Sequence, residues 1–182
     1  MSNMSAVKRI CISAICVALC CVLPTLFHTI GLGTTFSPMH IPVLLCGLLC
    51  GPMYGALCGL IGPLLSSMIT GMPGVAMLPS MVPELITYGL VTGLGMKLIH
   101  TGKLSADLYI SLAAAMVLGR VVGGIAKALF YMGTGTAFSL SMWASAYFVS
   151  TLPGIICHLI LIPVLVGALA KAKLIPARYG AA

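Results

Sequence analysis

Six apolar stretches divide the chain, each ended by glycine, proline or a small polar cluster. They cover residues 10–29, 38–51, 53–72, 77–98, 108–131 and 143–170. None alternates apolar and polar positions over about ten residues, as a membrane β-strand does. The runs are continuous, and about twenty helical residues at 1.5 Å each cross a hydrocarbon core of about 30 Å. The pattern predicts an all-α integral membrane protein: one domain over residues 1–182, built as a six-transmembrane-helix bundle. The second stretch is short, with Pro42 near its start, and Gly51-Pro52 predicts a tight turn behind it. Gly51, Gly55 and Gly59 recur every four residues, so the third helix should lie close against a neighbour.

Composition excludes a soluble domain. The chain of 182 residues is 60% hydrophobic and only 6% charged, with a mean hydropathy of +1.19, too few charges to solvate a surface. The net charge of +7 does not point to nucleic acid, because the basic residues flank apolar stretches instead of gathering on one polar face. Their distribution sets orientation. Lys8, Arg9, Lys97, Lys103, Lys171, Lys173 and Arg178 fall on one side of the six stretches, and connecting segments 31–40, 70–75 and 132–141 on the other side hold no Asp, Glu, Lys or Arg. By the positive-inside rule both the N- and C-termini are expected in the cytoplasm. Lys8 and Arg9 before an apolar run resemble a signal peptide, but Leu23-Pro24-Thr25 offers no small-residue cleavage site, so this stretch is expected to stay as the first span.

Orientation leaves three charges unexplained. Arg120 and Lys127 lie within the fifth stretch and Glu84 within the fourth. A cation near the bilayer centre costs about 2.5–3.5 kcal/mol unless something answers it. Arg120 and Lys127 are two helical turns apart and share a face. If that face meets Glu84, the outer half of the bundle holds a polar pocket with two positive groups and one negative. Such a pocket suits a small ligand with a carboxylate or phosphate. Phe36, His40, Tyr88, Trp143 and Tyr147 are candidates for its apolar and hydrogen-bonding contacts, and the uncharged outer loops are placed to act as lids. A structural alternative stands beside each reading. Glu84 pairs with Arg120 only to join two helices, Lys127 snorkels to the interface, His158 is a hydrogen-bonded core histidine, and His28 is interfacial.

No catalytic or metal-binding pattern accompanies these charges. The eight cysteines show no C-x-x-C spacing and read as small apolar helix residues, with no metal site and no disulfide framework. There is no H-E-x-x-H, no carboxylate pair and no phosphate-cradling loop, so neither an enzyme nor a resident cofactor is expected. An intramembrane Cys/His enzyme is the competing class, but Cys157 and His158 are adjacent and diverge by about 100° on a helix. The chain cannot use ATP by itself, and nothing in it suggests the inverted repeats of a secondary transporter. A partner must supply the energy.

The order of several motifs carries a resemblance. These are the Ala14-x-x-x-Ala18 pair, His40-Ile-Pro-Val-Leu-Leu-Cys-Gly47 running into Gly51-Pro-Met-Tyr-Gly-Ala56, Gly119-Arg120, and Leu152-Pro-Gly-Ile-Ile-Cys-His-Leu-Ile-Leu-Ile-Pro163. Over nearly its whole length the chain resembles the substrate-binding S components of energy-coupling factor (ECF) vitamin transporters. The resemblance implies a multi-pass protein of the prokaryotic plasma membrane that captures a small vitamin from outside. It implies docking through Ala14 and Ala18 onto a transmembrane coupling protein carrying two ATPases, with toppling in the membrane to deliver the ligand. Pantothenate ranks first among the vitamins, and pyridoxine-like or pyrimidine precursors, queuosine precursors and cobalamin-type ligands remain open.

Overall fold

A computed structural model describes residues 4–29, 31, 37–133 and 151–172. Among them are six α-helices: α1 (Ala6–Thr29), α2 (His40–Cys50), α3 (Pro52–Thr70), α4 (Leu78–Leu98), α5 (Leu104–Gly133) and α6 (Leu152–Lys171). A single 3₁₀ turn, Val75–Met77, leads into α4. All but α2 are long and apolar enough to cross a membrane.

The helix ends follow local chemistry. Gly51 sits at φ 104°, between the last turn of α2 and the first of α3. A side chain is strained there, so glycine is required for the turn. Pro52 follows in the first turn of α3, where its missing N–H costs nothing. Prolines also open α4 and α6. Hydroxyls return to the backbone inside the apolar helices: Thr87 Oγ1 donates to the Pro83 carbonyl at 2.8 Å, and Thr92 Oγ1 to that of Tyr88 at 2.7 Å. These bonds hide polar atoms from lipid.

Packing is built on glycine. The faces of α3 and α4 meet backbone to backbone where Gly55 lies against Gly89. A Cβ on Gly59 would meet the Leu85 backbone, and one on Gly93 the backbone of Gly51 and Pro52. The expected close approach of α3 is therefore made by Gly55 and Gly59, whereas Gly51 serves the turn. The helix α4 is central, packed against α3, α5 and α2. A cysteine-rich seam joins α1, α2 and α3: Cys46 Sγ donates to Ser13 Oγ and to the Tyr54 carbonyl, both at 3.4 Å, and Cys50 Sγ to the Arg9 carbonyl at 3.6 Å. Among the described residues the cysteines are free thiols.

Besides α1 beginning at Ala6 and not at residue 10, so that Lys8 and Arg9 lie within it, two differences from the sequence expectation shape the bundle. The second stretch was expected to span the membrane, but α2 has 11 residues and is about 16 Å long, half of what a crossing needs. Every one of its residues is buried. The second difference is at residues 100–107, expected as a loop, because α5 already begins at Leu104. Asp107, fully buried in the first turn, accepts hydrogen bonds from the Thr101 N–H at 2.9 Å and the Thr101 hydroxyl at 2.7 Å, which ties down the connection. The part of the sixth expected stretch before residue 151 lies outside the described residues.

Candidate ligand cavity

The shortness of α2 creates a cavity. At its start the Met39 carbonyl accepts a weak bond from Cys20 Sγ at 3.9 Å. Cys20 lies nine residues before the end of α1, about 13 Å down the helix. At its other end α2 reaches Arg9, near the start of α1. The helix therefore fills only one half of the bundle, and among the described residues the other half, above its N-terminus, is left open. A cavity of about 640 Å³ occupies that place. It is bounded by the C-terminal part of α1 (Pro24, His28), the start of α2 (His40), the Met72–Met77 connection, the first turns of α4 (Met81, Glu84), the last turns of α5 (Arg120, Lys127, Tyr131) and Thr151 before α6. Ends of α1 and α5 and beginnings of α2, α4 and α6 thus meet at one pole, so these helices alternate in direction.

Three charged side chains reach this cavity from two helices. Arg120 is 4% exposed and donates from Nη1 to Thr151 Oγ1 at 2.8 Å, which links α5 to the start of α6. Lys127, two turns further on, is half-buried, with Nζ 6.0 Å from the centroid of the Tyr131 ring. Glu84 is 7% exposed. Its Oε1 accepts the Tyr88 hydroxyl hydrogen at 3.0 Å and lies 3.6 Å from His40 Nε2. Among the described residues these are the partners of Glu84, and no ion pair joins it to Arg120. The simple helix-joining pair considered from the sequence is not formed.

Glycine makes room for this cluster as well. A Cβ on Gly119 would stand 2.6 Å from Tyr88 Cε1, and one on Gly123 would stand 2.8 Å from Glu84 Oε2 and 2.9 Å from Glu84 Cβ. Gly119 and Gly123 bracket Arg120 in a G-x-x-x-G step, the signal for close helix contact that sequence reading passed over. Because these two positions lack side chains, the acidic group of α4 sits against α5 itself.

His40 forms the floor. Its Nδ1 lies 3.0 Å from the Ser37 carbonyl, its ring meets Tyr88 edge-on at 5.0 Å, and it stacks on His158 of α6 at 5.9 Å with 22° between planes. The N-terminus of α2 points its positive dipole end toward the cavity. Its first N–H groups are already used, since those of His40 and Ile41 bond the carbonyls of Ser37 and Pro38 and Pro42 has none. The helix end offers the cavity a field, and the N–H groups of His40 and Ile41 are not spare donors.

Of the residues expected at the pocket, His40, Glu84, Arg120 and Lys127 line the cavity, and Tyr88 lies behind Glu84. Phe36, Trp143 and Tyr147 lie outside the described residues. Sequence reading missed Thr151, which nothing in the pattern links to Arg120, and the methionine-rich rim of Met72, Met77 and Met81. Ala14 and Ala18 are far from this site in character. Both are exposed on the outward face of α1, opposite buried Cys16 and Cys20 and among exposed Ile10, Ile15 and Val22. Among the described residues no group of three or more His, Cys, Asp or Glu is arranged to hold a metal.

Apolar helices enclosing a charged cavity open at one pole define an integral membrane protein with a receptacle for a small solute. A family model described as the substrate-specific component of ECF transporters matches residues 8–168, and the chain belongs to that family. No individual curated protein and no solved structure matches it. The chain is thus a multi-pass membrane subunit that gives an ECF transporter its specificity for a small molecule. The family is one of transporter subunits and not of enzymes, and membership implies association with a membrane coupling protein and ATPases.

Proposed function

We propose that the cavity takes up a small anionic vitamin from outside the cell, pantothenate before the other candidates, and that the face around Ala14 and Ala18 docks the coupling protein. The observation that carries this reading is the charge of the cavity: two cations, Arg120 and Lys127, against the single carboxylate of Glu84. An anion entering such a site neutralises the excess, and hydrogen bonds to charged groups in a desolvated site are worth about 1.5–3 kcal/mol each.

The opposite pole supports the orientation. Lys8 lies in the first turn of α1, Lys97 in the last turn of α4, Lys103 just before α5 and Lys171 at the end of α6, all exposed and all away from the cavity. By the positive-inside rule that pole is cytoplasmic, both termini with it, and the cavity opens outward. In this reading α2 is the second of six elements and returns the chain to the cytoplasmic side together with the residues before it. Small residues exposed on an apolar helix let another helix come close, which fits Ala14 and Ala18 to a partner that carries two ATPases.

Native mass spectrometry of the detergent-purified protein, followed by identification of the copurifying small molecule, tests the substrate. A thermal-shift screen of vitamins follows if the protein is empty. The expected result is binding of pantothenate, weakened about tenfold to a hundredfold by Arg120→Ala. Tight binding of a neutral or cationic vitamin, unaffected by Arg120→Ala, would falsify the proposal.

A further inference from the structure

The two signs of charge in the cavity are not interchangeable, and their separation has a consequence for the ligand. Arg120 and Lys127 come from α5, with Thr151 beside Arg120. Glu84 comes from α4 and is fastened through Oε1 to Tyr88 and close to His40, not paired with either cation among the described residues. If Glu84 served only to neutralise Arg120, the shortest arrangement would be a direct pair, and none is formed among the described residues. Oε2 is different. It rests against Gly123, and among the described residues no donor reaches it. A carboxylate offers about four acceptor sites, so the Tyr88 hydroxyl and His40 leave capacity unused. Such an oxygen on a cavity wall is an acceptor set out for a donor that comes from the cavity.

From this geometry we infer that Glu84 is a specificity-determining residue that reads a hydroxyl or ammonium donor on the ligand, distinct from its anionic group. The site takes two-ended ligands: a carboxylate or phosphate on the Arg120 and Lys127 side, and a donor on the Glu84 side. Tyr88 acts through Glu84 as a positioning residue, holding Oε1 so that Oε2 is presented. A plain carboxylate of the same size is discriminated against, because it leaves a buried acceptor without a partner. The inference rests on the proposed function and deepens it. Pantothenate has this two-ended form, with a carboxylate at one end and two hydroxyls at the other.

Crossed titrations test it. The probes are pantothenate, its neutral alcohol pantothenol, and the dideoxy analogue in which hydrogens replace both hydroxyls, each titrated calorimetrically into the full chain in nanodiscs. Wild-type protein should bind pantothenate most tightly, with each analogue about tenfold or more weaker. Arg120→Ala should weaken pantothenate strongly and pantothenol little. Glu84→Gln, which keeps size and the bond to Tyr88, should weaken pantothenate and pantothenol by the same factor of about ten while leaving the dideoxy analogue within about twofold. Glu84→Asp, which withdraws the carboxylate by one methylene, serves as the second variant with the same expected pattern. Tyr88→Phe should reproduce that selectivity pattern in smaller measure, which a merely structural loss would not do. Equal weakening of all three compounds by Glu84→Gln and by Glu84→Asp overturns the inference and leaves the pantothenate reading in place. Wild-type protein that binds none of the three overturns that reading and the inference with it.

Discussion

Gly123→Ala is the smallest change that tests the geometry of the cavity. The added Cβ would lie 2.9 Å from the Cβ of Glu84 and 2.8 Å from its Oε2. The first contact decides the outcome. Carbon atoms pack best at about 3.5–4.0 Å, so α4 and α5 must part by roughly 0.6–1.1 Å at this level. Rotating the Glu84 side chain does not help, because rotation about its first torsion leaves Cβ where it is. The carboxylate can swing away from the new methyl only by straining its 3.0 Å bond with Tyr88. Overpacking of this kind costs about 1–3 kcal/mol, while replacing a helical glycine by alanine returns about 0.8–1.0 kcal/mol. The expected net loss is up to about 2 kcal/mol. Gly167→Ala is the control: it lies in α6 with nothing within 4 Å of an added Cβ, so only the helix-favouring term of up to about 1 kcal/mol should appear. Melting of the detergent-solubilised variants, followed by the folded fraction on size exclusion, reads stability, and calorimetry reads ligand affinity. Gly123→Ala should melt below wild type and bind ligand about tenfold or more weakly, and Gly167→Ala should do neither. If Gly123→Ala matches wild type in both assays, Glu84 is not seated against α5 and the account of the cavity is wrong.

Other expectations separate the parts of the molecule. Ala14→Trp places a bulky group on an exposed face, so copurification with the coupling protein and uptake should be lost while ligand affinity in the isolated subunit stays unchanged; loss of affinity as well would mean that this face and the cavity are not independent. Gly51→Ala puts a Cβ at φ 104°, a conformation that costs a non-glycine residue about 1–3 kcal/mol, and the variant should melt lower although an added Cβ meets nothing within 4 Å. Asp107→Ala removes the acceptor for both the N–H and the hydroxyl of Thr101; the expected loss is about 1.5–3 kcal/mol in the same melting assay, with little change in ligand affinity because the residue sits at the pole opposite the cavity.

What the sequence alone determined was the solvent of the chain and its scaffold. With so few charges and such long apolar runs, burial in a bilayer was the one way to satisfy the side chains, and helices the one way to satisfy the backbone. Helix positions were legible for the same reason: glycine, proline and polar clusters interrupt the apolar pattern where an apolar helix cannot continue. Glu84, Arg120 and Lys127 stood out because a charge in an apolar run is costly enough to require a purpose.

The tertiary structure decided how those charges are used. Periodicity placed Arg120 and Lys127 on one face, but only packing determined that Glu84 turns to Tyr88 and His40 instead of to Arg120, since that depends on the absence of side chains at Gly119 and Gly123 on a different helix. Thr151 joins Arg120 from 31 positions away, and no local pattern encodes such a pairing. The length of α2 was the decisive case. An apolar run preceded by a loop looks the same whether its helix starts at the membrane surface or halfway down. The cavity exists because the helix starts at His40, about 13 Å below the end of α1, and leaves the upper half of the bundle open among the described residues.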